Sequence, residues 1–142
     1  MEIPAPSTPI VCDMTNAPDT EQERLGEYRR LFAQSLVDRE HTAEGIRFRF
    51  RAAPGVESWV RDLAAREKAC CAFYAYTVTV AGDEVRWDCA VPDDAIARAI
   101  VEEFYALPDT LAENPDAGMD GLRERFARHG LPIITNPAGT VG

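Results

Sequence analysis

The spacing of apolar and polar positions changes period several times along the chain. Leu25, Tyr28, Leu31, Phe32 and Leu36 recur at three- and four-residue intervals with charges between them, which predicts a helix with one buried stripe. Thr20 followed three residues later by Glu23 is a capping-box signature, so this helix is expected to open at Asp19-Thr20 and to end between Val37 and Glu40. Ile46 to Arg51 alternates strictly, apolar on one face and arginine on the other, and predicts a half-buried strand that Pro54-Gly55 breaks. From Val56 to about Cys71 the helical period returns, with Val56, Trp59 or Val60, Leu63 and position 67 on one stripe.

Tyr74 to Val80 is rich in β-branched and aromatic residues, and Glu84 to Val91 alternates, with Val85, Trp87, Cys89 and Val91 on one face. Ala81-Gly82-Asp83 between them predicts an antiparallel hairpin. Pro92-Asp93-Asp94 opens a third helix with Asp93 as its expected N-cap, Ile96, Ile100, Phe104 and Leu107 as its stripe, and Pro108 as its stop. Residues 108–118 read as a linker, about Met119 to His129 as a short amphipathic helix, and Gly130 as its left-handed cap. The apolar run Leu131-Pro132-Ile133-Ile134 must dock somewhere or form a partner surface. Ile10 to Met14 reads as a short strand or an extended arm that adds to a sheet edge.

The order is helix, strand, helix, strand, strand, helix, extension. It predicts an α+β fold: a small antiparallel-dominated sheet with helices on one face, built on a βαββα unit close to the split βαβ of ferredoxin-like folds. The expected divisions are an N-terminal arm over 1–18, an α+β core over 19–107, and a C-terminal linker, short helix and tail over 108–142.

Composition narrows the partners. A chain of 142 residues that is 46% hydrophobic can bury a core without staples. Its net charge of −9 opposes phosphate backbones and anionic lipid, so neither nucleic acid nor a membrane is expected as a direct partner. No apolar run approaches the ~18 residues that span a bilayer, and the N-terminus lacks signal-peptide features. A cytoplasmic location follows as the expectation, and with it four free thiols at Cys12, Cys70, Cys71 and Cys89.

One local pattern departs from what packing alone selects. Glu67 falls on the apolar stripe where a leucine is expected, and Cys70 and Cys71 follow three and four residues later. A carboxylate on such a stripe is costly unless paired, protonated or metal-bound. Two thiols within a turn of it are soft donors for zinc or another thiophilic metal or metalloid, with Cys12, beside Asp13, as the candidate third sulfur. The competing reading is structural. The cysteines pack as small hydrophobes, and Glu67 pairs with a strand arginine, Arg61 or Arg66. Both cysteines sit near a helix C-terminus, where the dipole opposes a thiolate, so the pattern leans to ligand over nucleophile. Cys89 reads as core, His41 and His129 as solvent-exposed, and Arg47, Arg49 and Arg51 as a solvated sheet face that partners Asp88 and Glu84.

The run Glu67-Lys68-Ala69-Cys70-Cys71-Ala72-Phe73-Tyr74-Ala75-Tyr76, with Cys12 upstream and Ala90-Val91-Pro92 downstream, resembles a group of small actinobacterial-type proteins with an E-x-x-C-C-x-F-x-x-F/Y signature. A similar module is appended to some regulators of the mercury-resistance-regulator type. The resemblance spans roughly residues 10–107; the family's usual proline after the cysteine pair is Ala72 here. It implies association with metal or metalloid stress, with occasional assignment to arsenate reduction, and it singles out Cys12, Glu67, Cys70 and Cys71. Three functions are therefore weighed, in this order: capture or sensing of a small soft ion, a non-catalytic homodimeric interaction module with structural cysteines, and a thiol redox enzyme of the arsenate-reductase type.

Overall fold

A computed structural model gives the architecture and describes residues 12–14, 17–113, 119–128, 130, 133 and 134. Helix α1 (Glu21–Ser35) opens as its sequence predicts. The Thr20 side chain accepts from the Glu23 amide at 3.1 Å, and Glu23 accepts from the Thr20 amide at 2.9 Å. The two bonds satisfy two of the donors a helix start leaves orphaned. The helix ends earlier than expected, at Ser35, because Leu36 turns to extended backbone and begins a strand, β2 (Leu36–His41). That strand was not foreseen. Its Val-Asp-Arg-Glu-His run has no two-residue alternation, and a register shift between Leu36 and Asp38 breaks what alternation it has.

β3 (Gly45–Arg51), β4 (Ala75–Ala81) and β5 (Glu84–Ala90) complete a four-stranded sheet of order β2-β3-β5-β4, antiparallel throughout. β3 and β4 run parallel to one another with β5 between them, and helix α2 (Val56–Cys70) connects them, which is a split βαβ arrangement. Gly82, at φ +62°, makes the β4–β5 turn. At the first residue of β3 a side chain has no room. A Cβ on Gly45 would meet the Cys89 carbonyl oxygen at 1.9 Å, so glycine permits the close approach of β3 to β5.

The alternation read from sequence is the one observed. Ile46, Phe48, Phe50, Val85, Trp87 and Cys89 are buried on one face, while Arg47 and Arg49 line the other. There Arg47 pairs with Asp88 at 2.6 Å and Arg49 with Glu84 at 3.8 Å, as expected of a solvated face. α1, α2 and the third helix, α3 (Ala95–Glu113), cover the apolar face. Phe32 stacks on Phe50 and packs tilted against Phe48, and Phe104 meets Tyr28, Phe48, Tyr74 and Trp87 edge-on. Each such aromatic ring buried in full contributes roughly 1.5–3 kcal/mol.

α3 corrects three readings. Asp94, not Asp93, caps it, its carboxylate accepting from the amides of Ile96 and Ala97 at 2.9 and 3.0 Å. The buried stripe runs through Ala97, Ile100, Val101, Phe104, Leu107 and Leu111 and leaves Ile96 exposed. Pro108 does not stop the helix; it lies inside it, because burial of Leu107 and Leu111 on the same stripe outweighs the missing backbone bond. Beyond it, α4 (Met119–Arg128) ends near Gly130, whose φ of +92° is the left-handed cap expected. Of the apolar C-terminal run, Leu131 and Pro132 lie outside the described residues. Ile133 and Ile134 (β6) pair in parallel with Cys12 and Asp13 (β1). Among the described residues of the N-terminal arm, Cys12 and Asp13 thus join this two-stranded sheet and not an edge of the larger one.

Candidate functional site

α2 carries its buried stripe through Val56, Val60, Leu63 and Ala64 to Cys70, and Glu67 lies between the last two. The helix therefore delivers Glu67 inward, at 13% side-chain exposure, within side-chain reach of the first turn of α1. Cys71 is the C-cap, its amide bonded to the Glu67 carbonyl at 2.7 Å. Non-helical backbone at this cap (φ −119°, ψ +70°) lets two adjacent cysteines stay on one side of the helix end. Lys68 fixes the turn by donating to the carbonyls of Ala72 and Tyr74 at 2.7 and 2.6 Å. One carboxylate oxygen of Glu67 and the sulfurs of Cys70 and Cys71 all lie within 4.8 Å of one another, so the group could hold a metal ion.

The cation facing Glu67 was not foreseen. It is Arg24 from α1, 5% exposed, whose Nη1 donates to Glu67 Oε1 at 3.2 Å and to Cys70 Sγ at 3.0 Å. Asp19 grips the same guanidinium twice, at 2.6 and 3.0 Å. Arg61 and Arg66, the local candidates, are engaged elsewhere. Arg61 pairs with Glu57 at 2.8 Å, and Arg66 bridges Asp19, Glu27 and Asp62. A signal for Arg24 existed. It precedes Tyr28 by four and Leu31 by seven residues, which puts a charge on the α1 stripe just as Glu67 puts one on the α2 stripe.

Electrostatics follow from this enclosure. Burial pushes the Glu67 carboxyl above its ordinary value, and Arg24 offsets only part of that. Burial likewise pushes Asp19 up, but the two guanidiniums outweigh it and hold Asp19 low; Arg66 does the same to Glu27. Burial, and then the charge of Glu67, pushes the Cys70 thiol up to about 11 against the pull of Arg24. A neutral thiol suits the geometry, since Cys70 Sγ accepts from Arg24 and also donates to the Arg66 carbonyl at 3.3 Å.

Cys71 departs from the expectation of free thiols, because it is disulfide-bonded. That expectation came from an assumed compartment, and the fold imposes no such condition. Its sulfur still contacts Glu67 Oε2 at 3.8 Å, but a disulfide sulfur has no proton to donate. It is available as a ligand only after reduction. Cys70 and Cys89 are free; Cys89 is 1% exposed in the core, as its strand position implies. Cys12 pairs with Ile133 through its backbone, and its side chain lies outside the described residues. His129 lies outside them too. His41 is exposed, as expected, and ends β2, stacked on Tyr105 at 4.2 Å with its Nε2 3.0 Å from Glu102. No described helix is long and apolar enough to cross a membrane. The chain matches no family model, no curated protein and no solved structure.

Proposed function

We propose that the reduced protein captures a soft metal or metalloid ion through Cys70 and Cys71, with Glu67 as an oxygen ligand or orienting group. The observation that carries this is the convergence of two sulfurs and a carboxylate oxygen within 4.8 Å at the end of α2. Thiolate donors favour thiophilic centres over magnesium or calcium. A closed zinc–thiolate shell, with bonds of about 2.3 Å, needs sulfurs about 3.5–4 Å apart, and the observed group lies within 4.8 Å. Arg24 serves as the fixed counter-charge. Its N–H on Cys70 Sγ favours the thiolate that a bound ion requires. Cys12 is the candidate third sulfur, as the E-x-x-C-C resemblance implies.

The test is an absorption titration of the reduced chain with zinc, mercury and arsenite, following thiolate charge-transfer bands. One equivalent bound after reduction, and none before it, supports the function; no spectral change with any of the three removes it.

The disulfide at Cys71 favours a second reading, thiol–disulfide exchange with Cys70 as its neighbour. Against it stands a Cys70 thiol pushed up to about 11, which leaves little nucleophile near neutrality. Alkylation of Cys70 followed against pH separates the two. A rate that climbs only near pH 10–11 speaks for a ligand, and a plateau by pH 7 for a redox enzyme.

A further inference from the structure

The four-stranded sheet has two edges, and the chain treats them differently. β2 is guarded: its register shifts between Leu36 and Asp38, and Asp38, Arg39 and Glu40 follow as an unbroken charged run. β4 carries none of these devices. Among the described residues it pairs with β5 alone, and its sequence, Ala75-Tyr76-Thr77-Val78-Thr79-Val80-Ala81, has no charge, no proline and no register shift. Ala81 and Glu84 flank a two-residue turn, so they form a hydrogen-bonded pair, and the ladder alternates from there. The amides and carbonyls of Ala75, Thr77 and Thr79 therefore face β5, and those of Tyr76, Val78 and Val80 point to the open edge. Val80 is 47% exposed although it lies on the helix-covered face, beside Val85.

This strand is nearly a palindrome about Val78. Paired antiparallel with itself at that residue, it sets Thr77 against Thr79, Tyr76 against Val80 and Ala75 against Ala81. Threonine pairs and aromatic–β-branched pairs are favourable cross-strand neighbours. The outward groups of Tyr76, Val78 and Val80 then meet in register and close about six backbone hydrogen bonds around a twofold axis. We propose that the β4 edge is an interface for a second copy of this chain, which joins the two sheets into one. The ends agree in charge. The same register carries each copy's β4–β5 turn, with its exposed Asp83, to the start of the other copy's β4, where Lys68 Nζ donates to the Tyr74 carbonyl at 2.6 Å. A cleft of about 390 Å³ between α2 and β4, lined in part by Ala64, Ala65, Tyr76 and Val78, opens beside this edge, and Val80 of the second copy falls against Tyr76 at its rim. Two such strands, each about 24 Å long, bury with their flanking side chains on the order of 1,000 Å², the low end of specific interfaces, so the dimer forms and parts with concentration. The inference does not rest on the soft-ion reading.

Sedimentation velocity of the full chain over a concentration series reads the dimer, and cysteine cross-linking reads its register. A monomer–dimer equilibrium is expected for the parent chain. Val80→Lys sets a charge against Tyr76 at both ends of the pairing and weakens the dimer about tenfold or more. The circular dichroism of the dilute variant matches that of the parent, because Val80 is exposed in a single copy. Under mild oxidation Val78→Cys yields a covalent dimer, since the two positions meet at the axis with a Cα separation of about 5.5 Å. Val80→Cys, set against Tyr76, and the parent chain do not. A parent chain that stays monomeric throughout, its edge left open or covered by its own residues, overturns the proposal, as does a dimer that Val80→Lys leaves at full strength. Cross-linking of Val80→Cys as readily as Val78→Cys overturns it too, since the strands would then meet in another register or not at all.

Discussion

Arg24 holds the site together more than any other residue, because it satisfies Asp19, Glu67 and Cys70 at once from a buried position. Arg24→Met keeps the apolar stem and removes the charge. Removing one partner of a buried ion pair costs about 3–5 kcal/mol; the residual exposure of Asp19 and Glu67 lowers the expected loss to about 2–4 kcal/mol, read from urea unfolding. Glu67 and its acidic neighbours respond to pH in opposite senses. Asp19 and Glu27 have folded values below their ordinary 3.8 and 4.5, so the stability they contribute is present above those values and lost on acidification below them. Glu67 has a folded value above 4.5, so its contribution is complete below 4.5 and is lost as pH rises through the folded value. Glu67→Gln should therefore gain stability relative to the parent chain as pH rises above 4.5, and match its trend below. Urea midpoints at several pH values check this, and a parallel pair of curves contradicts it.

At the scale of elements, Pro108 is the clearest local conflict in the fold, since it sits inside α3 with no amide to donate. Pro108→Ala restores the donor, and a rise in stability of about 1–3 kcal/mol is expected, read as an increased thermal midpoint. The same residue illustrates what local signals can and cannot convey. The Thr20–Glu23 capping box, the Arg-Phe alternation of β3 and the Gly82 turn were all legible, because each depends on near neighbours in the chain. The end of α3 and the existence of β2 were not. A buried Leu111 overrides a proline, and β2 is held by pairing with β3 more than by any pattern of its own. The candidate site divides the same way. Glu67, Cys70 and Cys71 were visible as an acid and two cysteines on one stripe, and Arg24 as a charge on the α1 stripe, but that Arg24 and Asp19 meet Glu67 and Cys70 depends on tertiary packing, which no spacing within either helix encodes.

Over the whole molecule, redox state bears on the proposed ion site through one sulfur. The bond at Cys71 constrains the unfolded chain and fixes the end of α2, so reduction should lower stability by about 2–4 kcal/mol. A soft ion binding only the reduced folded form should restore part of that loss in proportion to its free concentration. Thermal midpoints with reductant alone and with reductant plus ion make the comparison; equal midpoints for the oxidised and reduced chains contradict the constraint. The net charge of −9 raises the concentration of cations around the molecule, which favours the proposed capture.

The most direct measurement is the native mass of the reduced full chain, and of Cys70→Ser beside it, after exposure to zinc, mercury or arsenite and removal of the excess. The account predicts one retained centre in the reduced parent chain, none in the oxidised chain and a much weaker adduct in Cys70→Ser. A reduced chain that emerges with no added mass from any of the three, or a serine variant that retains as much as its parent, contradicts it.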